Sequence, residues 1–269
     1  TLMFQPLPRL MVAPNGARRT KADHPALPIR LGEVVETAVA CDRAGAEGIH
    51  LHVRDTDAQH SLDVGLYREV VAAVEQAVPN FFVQVTSESA GRFGPDAQMK
   101  MIRDLRPKSV SLALRELMRA PNEVAGEFYK WARDEGICIH HILYSPDELR
   151  QFLDGVSDGL IPGTDHQLQL VLGSYAGTAP SRPQDIDAYQ VLIDGRKGDL
   201  ALDWMMCAFG SNETACLVET ARRGGKMRVG FENSLWNADG SLAKNNAERV
   251  SEAVAALKAA GQTLSPEDK

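Results

Sequence analysis

Eight segments of strand character alternate with eight of helical character along this chain, and the alternation is strict. Runs with period-two patterning read as strands near residues 10–13, 47–53, 81–86, 109–114, 137–144, 167–173, 201–207 and 227–232. Helical patterns lie near 32–44, 64–77, 95–105, 122–135, 146–154, 184–194, 212–223 and 244–260. Asn122 and Ser211 are candidate N-caps, and Ser145-Pro146 opens a further helix with proline in its first turn. Such alternation implies a parallel sheet, and eight repeats in 269 residues imply an α/β fold of the (β/α)8 TIM-barrel type. Two smaller domains would also fit the length. A doubly wound open sheet is disfavoured because no G-x-G-x-x-G turn follows the first strand. The expectation is one barrel domain over residues 1–269, with a loose polar tail after about residue 261.

The strand faces agree with a barrel. In the last strand Met227, Val229 and Phe231 point towards the helices, while Arg228, Gly230 and Glu232 point inwards. In the sixth, Leu168, Leu170 and Leu172 face out, and Gln167 and Gln169 face in. In the fourth, Val110, Leu112 and Leu114 face out, and Ser109, Ser111 and Ala113 face in. So polar an interior suggests a site as well as packing.

Bulk properties exclude some classes. A net charge of −7 argues against nucleic-acid and general membrane binding. No apolar run approaches a bilayer span. Thr1 to Leu10 is interrupted by Pro6 and Pro8 and lacks a secretory h-region. Cys41, Cys138, Cys207 and Cys216 form no C-x-x-C pair, so buried free thiols in a reducing, cytoplasmic setting are expected.

Chemistry concentrates in Gly48-Ile49-His50-Leu51-His52-Val53-Arg54-Asp55. Ile49, Leu51 and Val53 face one way, and His50, His52 and Arg54 the other. At roughly 3.3 Å rise per residue the imidazoles stand about 7 Å apart on one face, so both can reach one metal ion. Glu232 ends the eighth strand; strands two and eight both neighbour strand one, which brings all three to the barrel mouth. Two imidazoles and a carboxylate with an open fourth position make a catalytic zinc site, or an Fe(II) facial triad. Zinc is preferred because its Lewis acidity suits carbonyl chemistry and no redox partner is apparent. The competing reading makes the histidines satisfied core groups and Glu232 an ion-pair partner.

Arg228 shares the inward face of Glu232 and can hold a carboxylate or enolate, or pair with an acid such as Asp55. The long proline-rich connection from Pro14 to Ile29 reads as a lid or binding loop. Gly173-Ser174-Tyr175-Ala176-Gly177-Thr178 is rich in backbone donors. One of His140 and His141 must face inwards.

Several motifs together resemble one family. They are Asn15-Gly16-Ala17, Ala22-Asp23-x-Pro25-x-Leu27-Pro28, His50-x-His52-x-Arg54-Asp55, Val171-Leu172-Gly173 and Arg228-x-Gly230-x-Glu232. From Val12 to about Gly261 the chain resembles the β-keto acid cleavage enzymes. The resemblance implies a (β/α)8 barrel holding one zinc ion on His50, His52 and Glu232. It implies condensation of a β-keto acid with acetyl-CoA, giving acetoacetate and the CoA ester of the remainder. Arg228 becomes the catalytic arginine, with Asn233 at the position of its partner. Thr86 and Ser87 become substrate-carboxylate donors, and oligomerisation as a homodimer or homotetramer is implied.

The chain also departs from the family. Asn233 stands where aspartate is frequent, and it cannot ionise. Arg18 replaces a glutamate that holds the amine of an amine-bearing substrate. Thr86-Ser87-Glu88-Ser89 and Arg115-Glu116 replace Ser-Thr-Gly-Gly and Gly-Thr. Arg18 suggests a substrate tail bearing an anion or acceptor, whereas Glu116 suggests a cation. The phosphates of acetyl-CoA are expected near the loops after strands six to eight, with Arg222, Arg223 and Lys226 close in sequence. The alternatives are a zinc-dependent aldolase or hydrolase needing no CoA, and a non-catalytic metal- or ligand-binding barrel.

Overall fold

The first strand, β1 (Leu10–Val12), is three residues long, yet it closes the sheet. On one side it pairs in parallel with β2 (Gly48–Leu51), on the other with the last strand. In this computed structural model, which describes residues 2–177 and 179–262, the chain continues from β1 through α1 (Leu31–Ala44) to β2. A small antiparallel pair follows, β3 (Val53–Arg54) with β4 (His60–Ser61), then α2 (Val64–Ala77), β5 (Phe82–Thr86) and α3 (Pro95–Leu105). Next come β6 (Ser109–Ala113), the single turn α4 (Leu114–Leu117), α5 (Asn122–Asp134), β7 (Cys138–Leu143) and α6 (Pro146–Ser157). The last repeats are β8 (Asp165–Leu172), α7 (Asp187–Asp194), β9 (Ala201–Ala208), α8 (Glu213–Arg222), β10 (Lys226–Val229) and α9 (Asn246–Ala259). Going round the closed barrel the order is β1-β10-β9-β8-β7-β6-β5-β2, all parallel. This is the (β/α)8 barrel expected from the alternation. The tail expected after about residue 261 lies almost wholly outside the described residues.

The alternation of faces is as expected. Leu168, Leu170 and Leu172, with Val110, Leu112, Met227 and Val229, pack between barrel and helices in the main core. The inward positions form layers. Leu7, Met11, Met205 and Phe82 fill the floor. Above them Gln84 Nε2 donates to Ser109 Oγ (3.1 Å) and His140 Nδ1 (2.8 Å). Ala113, Ile142, Val171 and Cys207 line the upper barrel. His140 faces inwards; His141 faces out and packs against Tyr129 and Phe152.

Local chemistry explains the helix starts. Ser145 Oγ accepts the Glu148 N–H (3.2 Å) with Pro146 at the first position, as expected. Two other expected caps differ: Asn122 is the first residue of α5 after Pro121, and α8 starts after Asn212 rather than Ser211.

Two strand boundaries bear on the site. The second strand ends at Leu51, so His52 sits where the chain leaves the barrel wall, and Arg54 belongs to the β3–β4 pair. Asp55 closes that hairpin, its Oδ1 accepting the N–H groups of Asp57 (3.0 Å) and Gln59 (2.9 Å). The last strand stops at Val229. Gly230 adopts φ +142°, and a Cβ there would stand 2.4 Å from the Ala13 carbonyl oxygen. Only glycine permits that crossing, after which Glu232 is carried on a turn rather than a strand.

Candidate metal centre and active site

Strands β2 and β10 flank β1, and their C-terminal ends deliver the three expected ligands to one point. His50 Nε2 and His52 Nε2 lie 3.1 Å apart, and Glu232 Oε2 is 3.6 and 3.4 Å from them. Among the described residues these three form a group whose donor atoms all lie within 4.8 Å of one another, and all three are buried.

The donor chemistry fits a divalent cation. Gln84 Oε1 can only accept, so His50 Nδ1 carries the proton of their 2.8 Å hydrogen bond. His50 Nε2 therefore presents a lone pair to the group, as a metal-binding imidazole does. Burial, reinforced by Arg228, holds the His50 ring well below the usual imidazole range, which keeps it neutral. Glu232 divides its oxygens: Oε1 accepts from Arg228 Nη2 (3.3 Å), and Oε2 is buried with no hydrogen-bond donor. Burial alone would raise this carboxyl, but the Arg228 charge beside it outweighs burial and keeps it ionised. Two nitrogens and an unsatisfied anionic oxygen, buried and facing one another, are a donor set that could hold a metal ion.

Neighbouring backbone makes the room. Gly16 has φ +63°, and a Cβ on it would lie 2.8 Å from Glu232 Cγ and 3.0 Å from the Tyr175 hydroxyl. Asn15 Nδ2 donates to the carbonyls of Pro28 (3.0 Å) and His52 (3.3 Å), tying the first loop to the histidine segment. Arg54 does not face the metal group. Its guanidinium donates to the carbonyls of Asn15, Gly16, Arg19 and Ala58.

Arg228 is buried beside Glu232, not paired with Asp55. Its Nη2 makes only long contacts, to Cys207 Sγ (3.5 Å), Glu232 Oε1 (3.3 Å) and Asn233 Oδ1 (3.4 Å), and its Nε has no partner. Donor capacity is thus left over. A cavity of about 380 Å³ opens above, lined by His50, Glu232, Arg228, Thr86, Arg18 and Glu116 among others. Ser87 is not brought into it: the side chain is buried and its hydroxyl donates to the Ser111 carbonyl (2.7 Å). Asn233 is buried behind Arg228. Glu116 meets the cavity, but its Oε2 accepts from the Ser89 N–H (3.0 Å) and Gln98 Nε2 (2.7 Å). Arg222, Arg223 and Lys226 lie at the far end of the barrel, where α8 finishes and β10 begins. They pair there with Glu219, Asp187 and Asp203, so they cannot meet a ligand entering at the mouth.

Glu88 was not singled out in the sequence. Its carboxylate lines the cavity 3.7 Å from His52 Nε2 and 4.0 Å from Arg18, and burial raises its pKa. The signal was present: Glu88 lies two residues beyond the inward-facing Thr86. Tyr144 and Tyr175 also line the cavity, beneath the guanidiniums of Arg115 (4.3 Å) and Arg18 (5.4 Å).

A family model described as beta-keto acid cleavage enzyme matches residues 9–268. The chain belongs to that family. It is 24% identical over 262 residues to a 3-keto-5-aminohexanoate cleavage enzyme of Fusobacterium nucleatum, covering 94% of this chain and 92% of the relative. It is 27% identical over 263 residues to a 3-oxoadipate:acetyl-CoA acetyltransferase of Cupriavidus necator, covering 95% and 90%. Among solved structures, the apo structure of ObcA matches with a TM-score of 0.68 at 15% identity. That match covers 89% of this chain and 63% of the other, and it speaks for the barrel alone. Among the described residues, no helix of this family member is long and apolar enough to cross a membrane.

Proposed function

We propose that this protein is a zinc-dependent β-keto acid cleavage enzyme that uses acetyl-CoA. A β-keto acid R–CO–CH2–COO⁻ and acetyl-CoA would give R–CO–SCoA and acetoacetate, a balanced exchange of acyl groups between the CH2–COO⁻ unit and CoA sulfur. The observation that carries the reading is the convergence of His50, His52 and Glu232 Oε2 beside Arg228, inside a cavity at the C-terminal ends of the strands. A zinc ion held by those three residues would supply Lewis acidity for the β-keto oxygen.

The other roles belong to the chain's own groups. Arg228, with an unpartnered Nε and loosely engaged Nη2, would meet the negative charge that develops on the substrate oxygen. Thr86 Oγ1 accepts from Ser111 Oγ (2.7 Å) and from the Glu88 N–H (3.1 Å), so its own O–H remains to donate to the substrate carboxylate. Ser87 and Glu116 would act indirectly, by holding the loops around Thr86 and Glu88. Asn233 would hold Arg228 by its amide oxygen and cannot serve as a base. Arg18 and Arg115, half in solvent at the rim, are better placed for the CoA phosphates than the basic residues at the barrel's other end.

The test is metal analysis of the purified protein coupled to an assay for acetoacetate with acetyl-CoA and a panel of β-keto acids. About one zinc per chain and acetyl-CoA-dependent acetoacetate from at least one acid are expected. Zinc with turnover that ignores acetyl-CoA would replace this reading with the aldolase or hydrolase; zinc without any turnover would favour a binding protein.

A further inference from the structure

We infer that the substrate of this enzyme carries an uncharged, apolar tail beyond its β-keto group. The inference rests on the keto-acid reading above and concerns the part of the same cavity that faces away from the metal group.

Barrel topology sets where that part is. With β1 between β2 and β10, strands β6, β7 and β8 stand on the opposite side of the closed sheet. Their upper inward residues are Ala113, Ile142 and Val171, which form an apolar cluster with Cys207, Tyr144 and Phe209. Of these, Ile142, Val171, Tyr144 and Phe209 line the cavity, so a molecule anchored at His50, His52 and Glu232 extends its far end against hydrocarbon and aromatic rings.

Most charges around the cavity are already engaged within the protein. Glu116 accepts from the Ser89 N–H and Gln98 Nε2. Arg115 donates to Glu148 Oε1 (2.5 Å) and lies over the Tyr144 ring. Arg18 and Glu88 face each other at 4.0 Å, with Arg18 half in solvent above Tyr175. Arg228 and Glu232 serve the reacting end. In sequence, Arg18 pointed to an anionic tail and Glu116 to a cationic one. In the folded protein both line the cavity but are engaged by other groups of the protein, while the wall opposite the metal group is Ile142 and Val171. A charged tail there would lose its hydration without gaining a partner, which is costly.

The test is a matched set of three six-carbon acids: 3-oxohexanoate (uncharged tail), 5-amino-3-oxohexanoate (cationic) and 3-oxoadipate (anionic). Each is measured with the metal-loaded protein in two ways, as kcat/KM with saturating acetyl-CoA and as binding by calorimetry without acetyl-CoA. The uncharged acid should exceed both charged ones by about 100-fold in kcat/KM and bind correspondingly tighter. Equal or better binding of either charged acid overturns the inference. If no acid is cleaved yet 3-oxohexanoate binds preferentially, the tail assignment stands and the cleavage reading falls. Val171→Asp should shift binding preference towards the cationic, amine-bearing acid. Should Val171→Asp fail to fold, Val171→Thr, which keeps the branching but adds a hydroxyl, should narrow the preference several-fold, and an unchanged preference in whichever variant folds counts against the inference.

Discussion

Glu213 Oε1 accepts the Gly230 N–H at 3.1 Å, and this bond links a helix outside the barrel to the turn that carries a metal-ligand candidate. The other oxygen of Glu213 accepts from Arg249 Nη2 (2.8 Å), and both side chains are fully buried. The next N–H, of Phe231, is held by Asn246 Oδ1 (2.9 Å), and that of Glu232 by the Ala13 carbonyl (3.1 Å). Three consecutive backbone donors are thus fixed before the Glu232 side chain begins. Glu213→Gln should weaken divalent-metal affinity by about 10–100-fold, read by competition with a chromophoric chelator. Glu252→Gln, which touches Arg249 but not the turn, should leave that affinity unchanged while lowering the melting temperature. Equal metal affinity in all three proteins would reduce Glu213 to a fold contact.

Arg228→Lys keeps the charge beside Glu232 but removes the planar fork. Metal content should stay at the wild-type level, while kcat falls by about 100-fold or more with a smaller change in KM. A variant that loses metal and activity together would place Arg228 among the supports of Glu232 instead.

Gly230→Ala tests the crossing against β1. The added Cβ would meet the Ala13 carbonyl at 2.4 Å, in a backbone conformation that alanine rarely adopts. A loss of about 2–4 kcal/mol in urea unfolding is expected. A wild-type midpoint would show that the turn relaxes freely.

Stability on the acid side should depend on His140. Burial pushes this imidazole down to about 3 from the ordinary 6.5, so the folded protein keeps it neutral where the unfolded chain binds a proton. Its contribution is therefore complete above pH 6.5 and is lost progressively as pH falls towards 3. The slope of unfolding free energy against pH, measured between pH 6.5 and 5, should drop by about one proton's worth in His140→Gln. An unchanged slope would assign the acid sensitivity to other groups.

The barrel was legible because several strands are apolar towards the helices and polar towards the barrel interior, so alternations such as Leu168, Leu170 and Leu172 against the buried Gln167 and Gln169 leave a period in the chain. His50 and Arg228 were legible for the same reason, since strand ends of a barrel converge; His52 and Glu232 lie just past their strands, and it is the turn at Gly230, which no strand period shows, that brings Glu232 to the same point. The β3–β4 pair was not, since two-residue strands carry no period, and Arg54 was consequently given the wrong neighbours. Glu213, Asn246 and Gln84 left no trace either. They are ordinary polar residues whose partners lie 15 to 34 positions away, and only the folded chain shows which backbone group each one meets. Arg18 and Glu116 could not be reconciled in sequence because the groups that occupy them, Glu88 and Gln98, come from other parts of the chain.

Arg54 has a consequence for how specificity changes in this chain. By gathering carbonyls from residues 15, 16, 19 and 58 around one guanidinium, it makes the first loop part of the wall rather than a gate. A ligand then meets a surface whose conformational entropy was lost when the barrel folded, and little ordering remains for the moment of binding. Discrimination between substrates is left to side chains on a stiff wall, so a single replacement at Ile142 or Val171 can change what fits without any loop having to move.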